Sequence, residues 1–513
     1  MSHSGCLACA DAERNRHPLV PWLLPAGAAV AAAGILFPFL WWMTVVGLAL
    51  FFASLRVGSG RFWRRAASGL FFGVVTGAAG VAWFWQALPL DFLEIHNRSV
   101  QVAAVGLIWM YVSISLGLPI AIFAVIIRAF RRSPFFPSAC AVLWPLAEIA
   151  RMWFFAVSTW APQSLLGPHF STAAVGYALA EQPLLLQLAH PFGLDGLNFS
   201  AAFMAGMLSV IPNCLYEPRM RRALLAQGLG LSVLLAIAVF ATRSGNSIPT
   251  TKLLAAVVCE NLDEVRDYGR HPNTADLLAR AAAANPPVDV VVMPEEISLT
   301  SIFSSKQEAN EFLRTHFKTR DVLVLNTRHA FVSEKVTDPS PESKKLVYDG
   351  TTSGKIGRYS KHMLMPLGEY APITAKPILS VLRDKDLQLY LEEVATLPAA
   401  RQPLETVKFR GWRIGGLLCS DLLSPHLYRE LAVRGKADLL VNLSNPFWFH
   451  GSRLLHWKTL QMAKVHAVQN RLPFILANNM APSFALDSAG RIVAESAWGQ
   501  RDVLVLELPF QSN

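Results

Sequence analysis

About seven apolar runs fill the first 243 residues, and none of comparable length follows them. They cover roughly 18–37, 39–55, 67–88, 100–127, 136–155, 184–211 and 223–242. A helix of about 20 apolar residues spans the hydrocarbon of a bilayer, where every backbone N–H and C=O must find its partner inside the segment. The pattern predicts a multi-span α-helical membrane bundle over 1–243 and a separate domain of ordinary soluble composition over 244–513. The charged fraction of the whole chain, 16%, falls below the roughly 25% of soluble domains because the first half carries so few charges. Pro38 separates the first two runs as a tight turn would, and Glu148 and Arg151 make the fifth run the weakest span.

Arginines set the orientation. Arg14 and Arg16 precede the first run; Arg56, Arg61, Arg64 and Arg65 follow the second; Arg128, Arg131 and Arg132 follow the fourth; Arg219, Arg221 and Arg222 follow the sixth. These loops alternate, so they share one side, which the positive-inside rule assigns to the cytoplasm. The opposite loop at 89–99 has Asp91 and Glu94 against Arg98. An odd span count then leaves everything after about 243 outside, in the periplasm of a bacterial cell. The net charge of +10 is accounted for by these loops. No basic helix interleaved with aromatics accompanies it, so a nucleic-acid partner is not expected. The first run follows polar residues and leads at once into the second, as a retained anchor rather than a cleaved leader does.

Six cysteines are spread thinly. Cys6 and Cys9 form a lone C-x-x-C with no second pair, weak evidence for zinc. Cys140 and Cys214 lie in or beside apolar runs, where Cys packs as a small hydrophobe. A disulfide between Cys259 and Cys419 would remove a nucleophile. Neither a cofactor nor a metal is expected.

After a polar linker at 244–251, β-branched runs at 253–258, 290–293, 322–325, 414–418, 439–443, 474–477 and 503–508 alternate with helical patterns at 275–284, 425–434 and 454–470. Such alternation predicts a layered α/β domain. Hairpin-like segments at 328–333 and 483–494 make the sheets mixed.

Three residues carry chemistry, two of them at the ends of such runs. Cys419 closes Trp412-Arg-Ile-Gly-Gly-Leu-Leu-Cys419. A thiol attacks as thiolate and needs a base or a cation to become one; a random free Cys is more often buried and inert. Glu295 follows Val-Val-Val-Met-Pro294. A carboxylate at the mouth of an apolar strand suits a general base, although Glu296 beside it is an equal candidate on composition. Lys361, with Glu369 eight residues on, offers a fixed positive charge for an oxyanion, against the commoner fate of Lys as a solvated charge. His362 faces the other way on a strand and is structural. Asp421, two residues beyond the Cys, is a supporting acid.

These pieces resemble the nitrilase superfamily, which uses Glu, Lys and Cys in this chain order. More narrowly they resemble the bacterial apolipoprotein N-acyltransferases, which join membrane helices to a periplasmic nitrilase-like domain. The matching segments are Met293-Pro-Glu295, Gly357-Arg-Tyr-Ser-Lys-His-Met-Leu-Met-Pro-Leu-Gly-Glu-Tyr-Ala-Pro372, Leu418-Cys-Ser-Asp421, Ala437-Asp-Leu-Leu-Val-Asn-Leu-Ser-Asn445, Trp448-Phe449, Ala477-Asn-Asn479 and Asp487-Ser-Ala-Gly-Arg491, with Leu143-Trp-Pro-Leu-Ala-Glu148 and Gly176-Tyr177 more loosely. The resemblance implies an α-β-β-α sandwich with mixed sheets and an acyltransferase. Cys419 would take an acyl chain from a phospholipid as a thioester and pass it to the amine of a diacylglyceryl-cysteine lipoprotein. Glu295 would act as base, Lys361 would hold the oxyanion, and Glu369 would orient Lys361 or share the base role.

The chain departs from the family pattern at Ser420-Asp421, where Tyr-Glu is usual, at Asn445-Pro446-Phe447, where Asn-Asp is usual, and in ending without a last apolar run. With no final span, Trp448 and Phe449, together with 153–155, are the expected contacts to lipid. Phe447, Trp448 and Phe449 favour a lipid substrate but would serve equally as core. A membrane-tethered amidase or nitrilase-type hydrolase, an acyltransferase with another acceptor, and an inactive lipid-binding relative are the competing readings.

Overall fold

The computed structural model describes residues 20–57, 61–90, 93–214, 217–244, 251–262, 273–318, 320–328, 345–393 and 403–510. Cys6, Cys9, Arg14, Arg16, Asp91, most of the 244–251 linker and most of the 328–333 segment lie outside them. The chain divides into two compact units: residues Met1–Ala82, Gly106–Ser158 and Phe170–Thr242, and residues Trp83–Val105, Thr159–His169 and Arg243–Asn513.

The first unit is helical. Its elements are α1 (Leu23–Leu36), α2 (Trp41–Val57), α3 (Phe62–Gly80), the greater part of α4 (Arg98–Ile126), α5 (Phe136–Ser158), α6 (Ala189–Cys214) and α7 (Pro218–Ser244). Among the described residues, Pro38–Val57, Arg98–Phe130, Phe136–Ser158 and Ala189–Pro212 are long and apolar enough to cross a bilayer. Small residues set the helix contacts: a Cβ on Gly47 of α2 would meet the backbone of Ala31 on α1 at 2.3 Å. Lipid tails are as apolar as Leu, so close backbone approach of this kind is what holds such helices together.

Three boundaries differ from the sequence expectation. The third run ends as a helix at Gly80 rather than 88, and a 3-10 turn Ala82–Ala87 follows. Its Trp83, which belongs with Phe449 to the second unit, is fully buried, with the two ring centroids 4.7 Å apart and near-perpendicular, so packing rather than lipid takes this aromatic stretch. The sixth run breaks into a single turn Pro183–Leu186 and α6, which is itself kinked at Gly193, where φ is +62°. The fifth run, weakest by composition, is one continuous helix, because Glu148 and Arg151 pair within it at 3.1 Å.

The second unit contains two six-stranded sheets. One has the order β12 (Asp502–Phe510), β1 (Thr251–Cys259), β2 (Val290–Val292), β3 (Leu323–Arg328), β4 (Lys345–Gly350), β5 (Gly354–Ser360). The other runs β11 (Ile492–Glu495), β10 (Phe484–Leu486), β9 (Phe474–Asn478), β8 (Leu439–Ser444), β7 (Trp412–Leu418), β6 (Val407–Phe409). Each is mixed: β1–β2–β3 and β7–β8–β9 are parallel and the outer pairs antiparallel. The central strands are mostly apolar and mostly buried, as parallel strands covered on both faces tend to be.

The sheets face each other. Tyr348 of β4 accepts the Gly416 N–H of β7 at 2.8 Å, and a Cβ on Gly416 would strike that hydroxyl at 2.5 Å, so only glycine lets the layers close here. Helices α8 (Thr274–Ala282) and α9 (Lys306–Phe317) pack Leu277, Leu278, Leu313 and Phe317 onto Ala256, Val258, Val291 and Val324 of the first sheet. Helices α10 (Pro425–Val433) and α11 (Arg453–Asn470) pack against the second sheet, as the stacked rings of Tyr428 and His466 beside Phe474 record. The result is the expected α-β-β-α sandwich. Strands β4, β5 and β6 carry too many polar residues to stand out in the sequence; they form as antiparallel edges on the buried strands.

Candidate active site

Three turns at strand ends converge. Glu295 follows β2, Lys361 directly follows β5, and Cys419 directly follows β7. The Lys361 ammonium donates to Glu295 Oε1 at 3.2 Å and to Glu369 Oε1 at 2.9 Å. All three are almost wholly buried, with side chains 2–3% exposed. A lone buried charge is costly, and here one ammonium is shared by two carboxyl groups. Glu369 is fixed further by the Met365 N–H, donated to its Oε2 at 2.8 Å.

Cys419 is half-buried and, like Cys259, carries a free thiol, so the disulfide is not formed. Its backbone lies in the left-handed region at φ +39°. A side-chain residue there costs on the order of 1–3 kcal/mol and persists only where its surroundings impose it. Asp421 imposes it. This fully buried carboxyl accepts the N–H groups of Leu418, His362 and Met363 at 3.1, 3.2 and 2.7 Å and the Tyr359 hydroxyl at 3.0 Å. One short acid thus ties the residues after Lys361 to the residues around Cys419. Asp421 is therefore a positioning residue. Burial raises its pKa, against the pull of His362 and the Met363 N–H. His362 stacks on Tyr359 and bonds the Ser360 carbonyl, away from the thiol, as a structural residue would.

The thiol is pushed up to about 12, first by burial and then by the Glu295 charge, with Lys361 opposing. Both influences favour the protonated thiol over the thiolate. The Asn445 N–H points at the sulfur.

A pocket opens over Cys419. Glu295, Glu296, Lys361 and Glu369 line its polar side, and Trp83, Trp448, Phe449, Leu455 and Met462 its apolar side. Glu296, the alternative base, lines the same pocket. Its φ is +72°, and its Oε2 accepts from Asn445 Nδ2 at 3.2 Å. Trp448 and Phe449 are half-buried walls of this pocket rather than an outward loop. The Trp448 ring lies where a Cβ of Gly368 would fall, 1.7 Å away, so the glycine before Glu369 admits the indole. In the other expected lipid-contact segment, Trp153 and Phe154 are exposed, but Phe155 is buried, stacked on Phe170 at 3.6 Å.

Residues 256–512 match the carbon-nitrogen hydrolase family. This chain belongs to that family. Among curated carbon-nitrogen hydrolase relatives, it is 28% identical to the apolipoprotein N-acyltransferase of Azotobacter vinelandii, covering 95% of this chain and 90% of the relative. It is 27% identical to the apolipoprotein N-acyltransferase of Pseudomonas putida over the same shares, and 27% to that of Rhizobium rhizogenes over 85% and 78%. A solved carbon-nitrogen hydrolase from Helicobacter pylori aligns at 16% identity and TM-score 0.36, over 50% of this chain and 89% of that one.

Three pocket residues had no signal in the sequence: Trp83 in an apolar run, Asn445 in a matching segment without an assigned role, and His456 on α11, whose Nε2 lies 3.1 Å from Glu495 Oε1. His456 is one of two His on α11, with His466. Only the packing of α11 shows which faces the pocket.

Proposed function

We propose that this carbon-nitrogen hydrolase is an apolipoprotein N-acyltransferase. The observation that carries the reading is a thiol, a lysine and two carboxyl groups gathered at one pocket whose other wall is aromatic and aliphatic. A small polar amide would leave that wall wet, whereas an acyl chain would cover it.

Cys419 attacks a phospholipid ester while Glu295 takes the thiol proton. Lys361 and backbone N–H groups stabilise the oxyanion. The C–O bond breaks, Glu295 returns the proton to the glyceryl oxygen, and a lysophospholipid leaves a thioester on Cys419. The α-amine of a diacylglyceryl-cysteine lipoprotein then forms the amide, its proton passing to Glu295 and on to the departing sulfur. Glu369 keeps Lys361 in register through both steps. Trp448 and Phe449 hold the acyl chain.

Residues 1–243 would form the inner-membrane part and 244–513 the periplasmic catalytic part. The loops around 83–105 and 159–169, which fold with the catalytic unit, follow the third and fifth runs. Those loops lie opposite the Arg-bearing ones, which supports the same orientation.

Intact-mass analysis after incubation with phosphatidylethanolamine tests the reading. It should reveal a hydroxylamine-labile acyl adduct that Cys419→Ser lacks; a normal adduct in that variant sinks the assignment. Release of the acyl group to water in the presence of a lipopeptide acceptor would make the protein a hydrolase instead. A reporter active only outside the cytoplasm, fused after Asn513, should be active.

A further inference from the structure

Beyond the thiol and the lysine cluster, two buried polar residues line the pocket: His456 of α11 and Asn478 of β9, 4% and 2% exposed. Both rest on the same corner of the second sheet. The His456 ring lies 6.0 Å from that of Phe484 on β10, which pairs with Leu476 of β9 and Glu495 of β11. Asn478 donates its Nδ2 to the Pro482 carbonyl at 3.0 Å and its backbone N–H to Ser483 Oγ at 2.9 Å. His456 is clamped further, with Nε2 3.1 Å from Glu495 Oε1 and the Trp498 ring near-perpendicular at 5.0 Å.

These contacts fix which atoms are left over. A carboxylate only accepts, so Nε2 carries a proton and Nδ1 of the neutral ring presents a lone pair. The Asn478 amide is held by its nitrogen, which leaves Oδ1. Among the described residues, neither His456 Nδ1 nor Asn478 Oδ1 has a hydrogen-bond partner. Buried polar atoms are nearly always paired, and leaving one unpaired is costly. Two leftover acceptors call for a group with several N–H bonds. An ester and an acyl chain have none. A primary ammonium has three, and the Glu495 carboxylate behind the imidazole favours its charge.

We propose that His456 and Asn478 form a subsite for a primary ammonium brought into the pocket by a substrate, each accepting one of its N–H bonds. This deepens the acyltransferase reading and rests on it, because that reading supplies two such groups: the ethanolamine headgroup of the phospholipid donor and the α-amine of the lipoprotein acceptor. No covalent bond or proton changes hands at the subsite. It selects which molecules seat well in the pocket of Cys419.

Methylation separates hydrogen bonding from charge, since a trimethylammonium keeps the charge and has no N–H. The full chain carrying Cys419→Ser is titrated in detergent with two ligand pairs. One pair is a short-chain phosphatidylethanolamine and the matching phosphatidylcholine; the other is a diacylglyceryl-cysteinyl peptide and its N-trimethyl form. In at least one pair the primary ammonium should bind roughly tenfold more tightly, the scale of a charge-assisted hydrogen bond. Adding His456→Phe should erase that preference and leave the affinity for the trimethyl ligand unchanged. The pair that shows the effect names the source. Equal affinity within both pairs, or a preference that survives His456→Phe, overturns the proposal. If His456→Phe does not fold, Glu495→Gln takes its place, at a position 35% exposed. It keeps an acceptor for Nε2 and removes the charge, so the preference should shrink severalfold; an unchanged preference again overturns the proposal. Acyl-enzyme formation by the unaltered protein is measured separately. Its absence would be a failure of the acyltransferase reading, while the ammonium preference would still stand or fall on the titrations.

Discussion

Two buried ion clusters lie in the two units, and they do different things with the same chemistry. On α5, Glu148 accepts Trp144 Nε1 at 3.0 Å, Arg151 Nη1 at 3.1 and 3.2 Å and the Val175 N–H at 3.4 Å, while Arg151 donates to the carbonyls of Leu116 and Ala173 at 3.0 and 3.2 Å. The pair is spent on its own unit: it joins a helix, a neighbouring helix and the irregular segment before Val175. In the second unit Lys361 binds Glu295 and Glu369 just as tightly, yet all three line an open pocket beside a thiol. Burial and pairing are shared. Access to a nucleophile is what separates a site from a strut.

Removing the cation from each cluster is the sharpest way to break that comparison. Lys361→Met should lower the chemical step by about 10²–10³, the scale of a lost oxyanion donor. Arg151→Met should cost about 3–5 kcal/mol of stability by leaving Glu148 buried and unpaired, while the protein that remains folded keeps its turnover per molecule to within a few-fold. Thermal unfolding in detergent and single-turnover acylation read the two effects separately. If Arg151→Met abolishes turnover in folded protein, the contrast between the clusters fails.

Next in size is the base. Glu295→Gln should slow acylation by roughly 10² or more, as for a positioned base. Should Glu296→Gln slow acyl-enzyme formation more, the two acids have been assigned the wrong way round. The apolar wall comes third. Replacing Trp448 and Phe449 by Ser should raise the apparent KM for long-chain phospholipid, by a few kcal/mol at most, while acylation by a short water-soluble thioester changes little. Equal loss on both substrates would return these rings to the role of core.

The smallest expected effect has opposite signs for neighbouring groups. Because the thiol is pushed up to about 12 by burial and the Glu295 charge, alkylation of resting Cys419 by iodoacetamide should be slow near pH 7 and keep rising as pH climbs beyond 9. Glu295→Gln removes a negative charge and should shift that rise to lower pH. Lys361→Met removes the opposing positive charge and should shift it higher. A profile that saturates near pH 7 in the unaltered protein would mean a preformed thiolate and a different first step.

What could be read before any coordinates were known follows from local physics. The strands β1, β2, β3, β7, β8, β9 and β12 and the helices α8, α10 and α11 all sit on the runs that the sequence pattern marks, the central strands because a strand buried on both faces is mostly apolar. The same rule put Glu295 and Cys419 at the ends of such strands, and Lys361 was singled out as a fixed charge with Glu369 eight residues on. It did not mark β4 to β6, nor where the third and sixth apolar runs stop being helix, because an edge strand and a buried aromatic turn acquire their partners from far along the chain.

The sequence by itself determined the division between apolar helices and an α/β sandwich and singled out the candidate reactive groups, since these depend on composition and on spacing within a few residues. Only the tertiary structure decided their jobs. Glu295 and Glu296 are adjacent in sequence and chemically identical; Glu295 accepts from Lys361, and Glu296, at φ +72°, accepts from Asn445. Asp421 reads as a supporting acid and accepts from four donors, and the indole of Trp448, read as a lipid contact, packs over Gly368. Each role is a contact between segments tens to hundreds of residues apart. Such contacts are set by how whole layers pack, which no local pattern encodes.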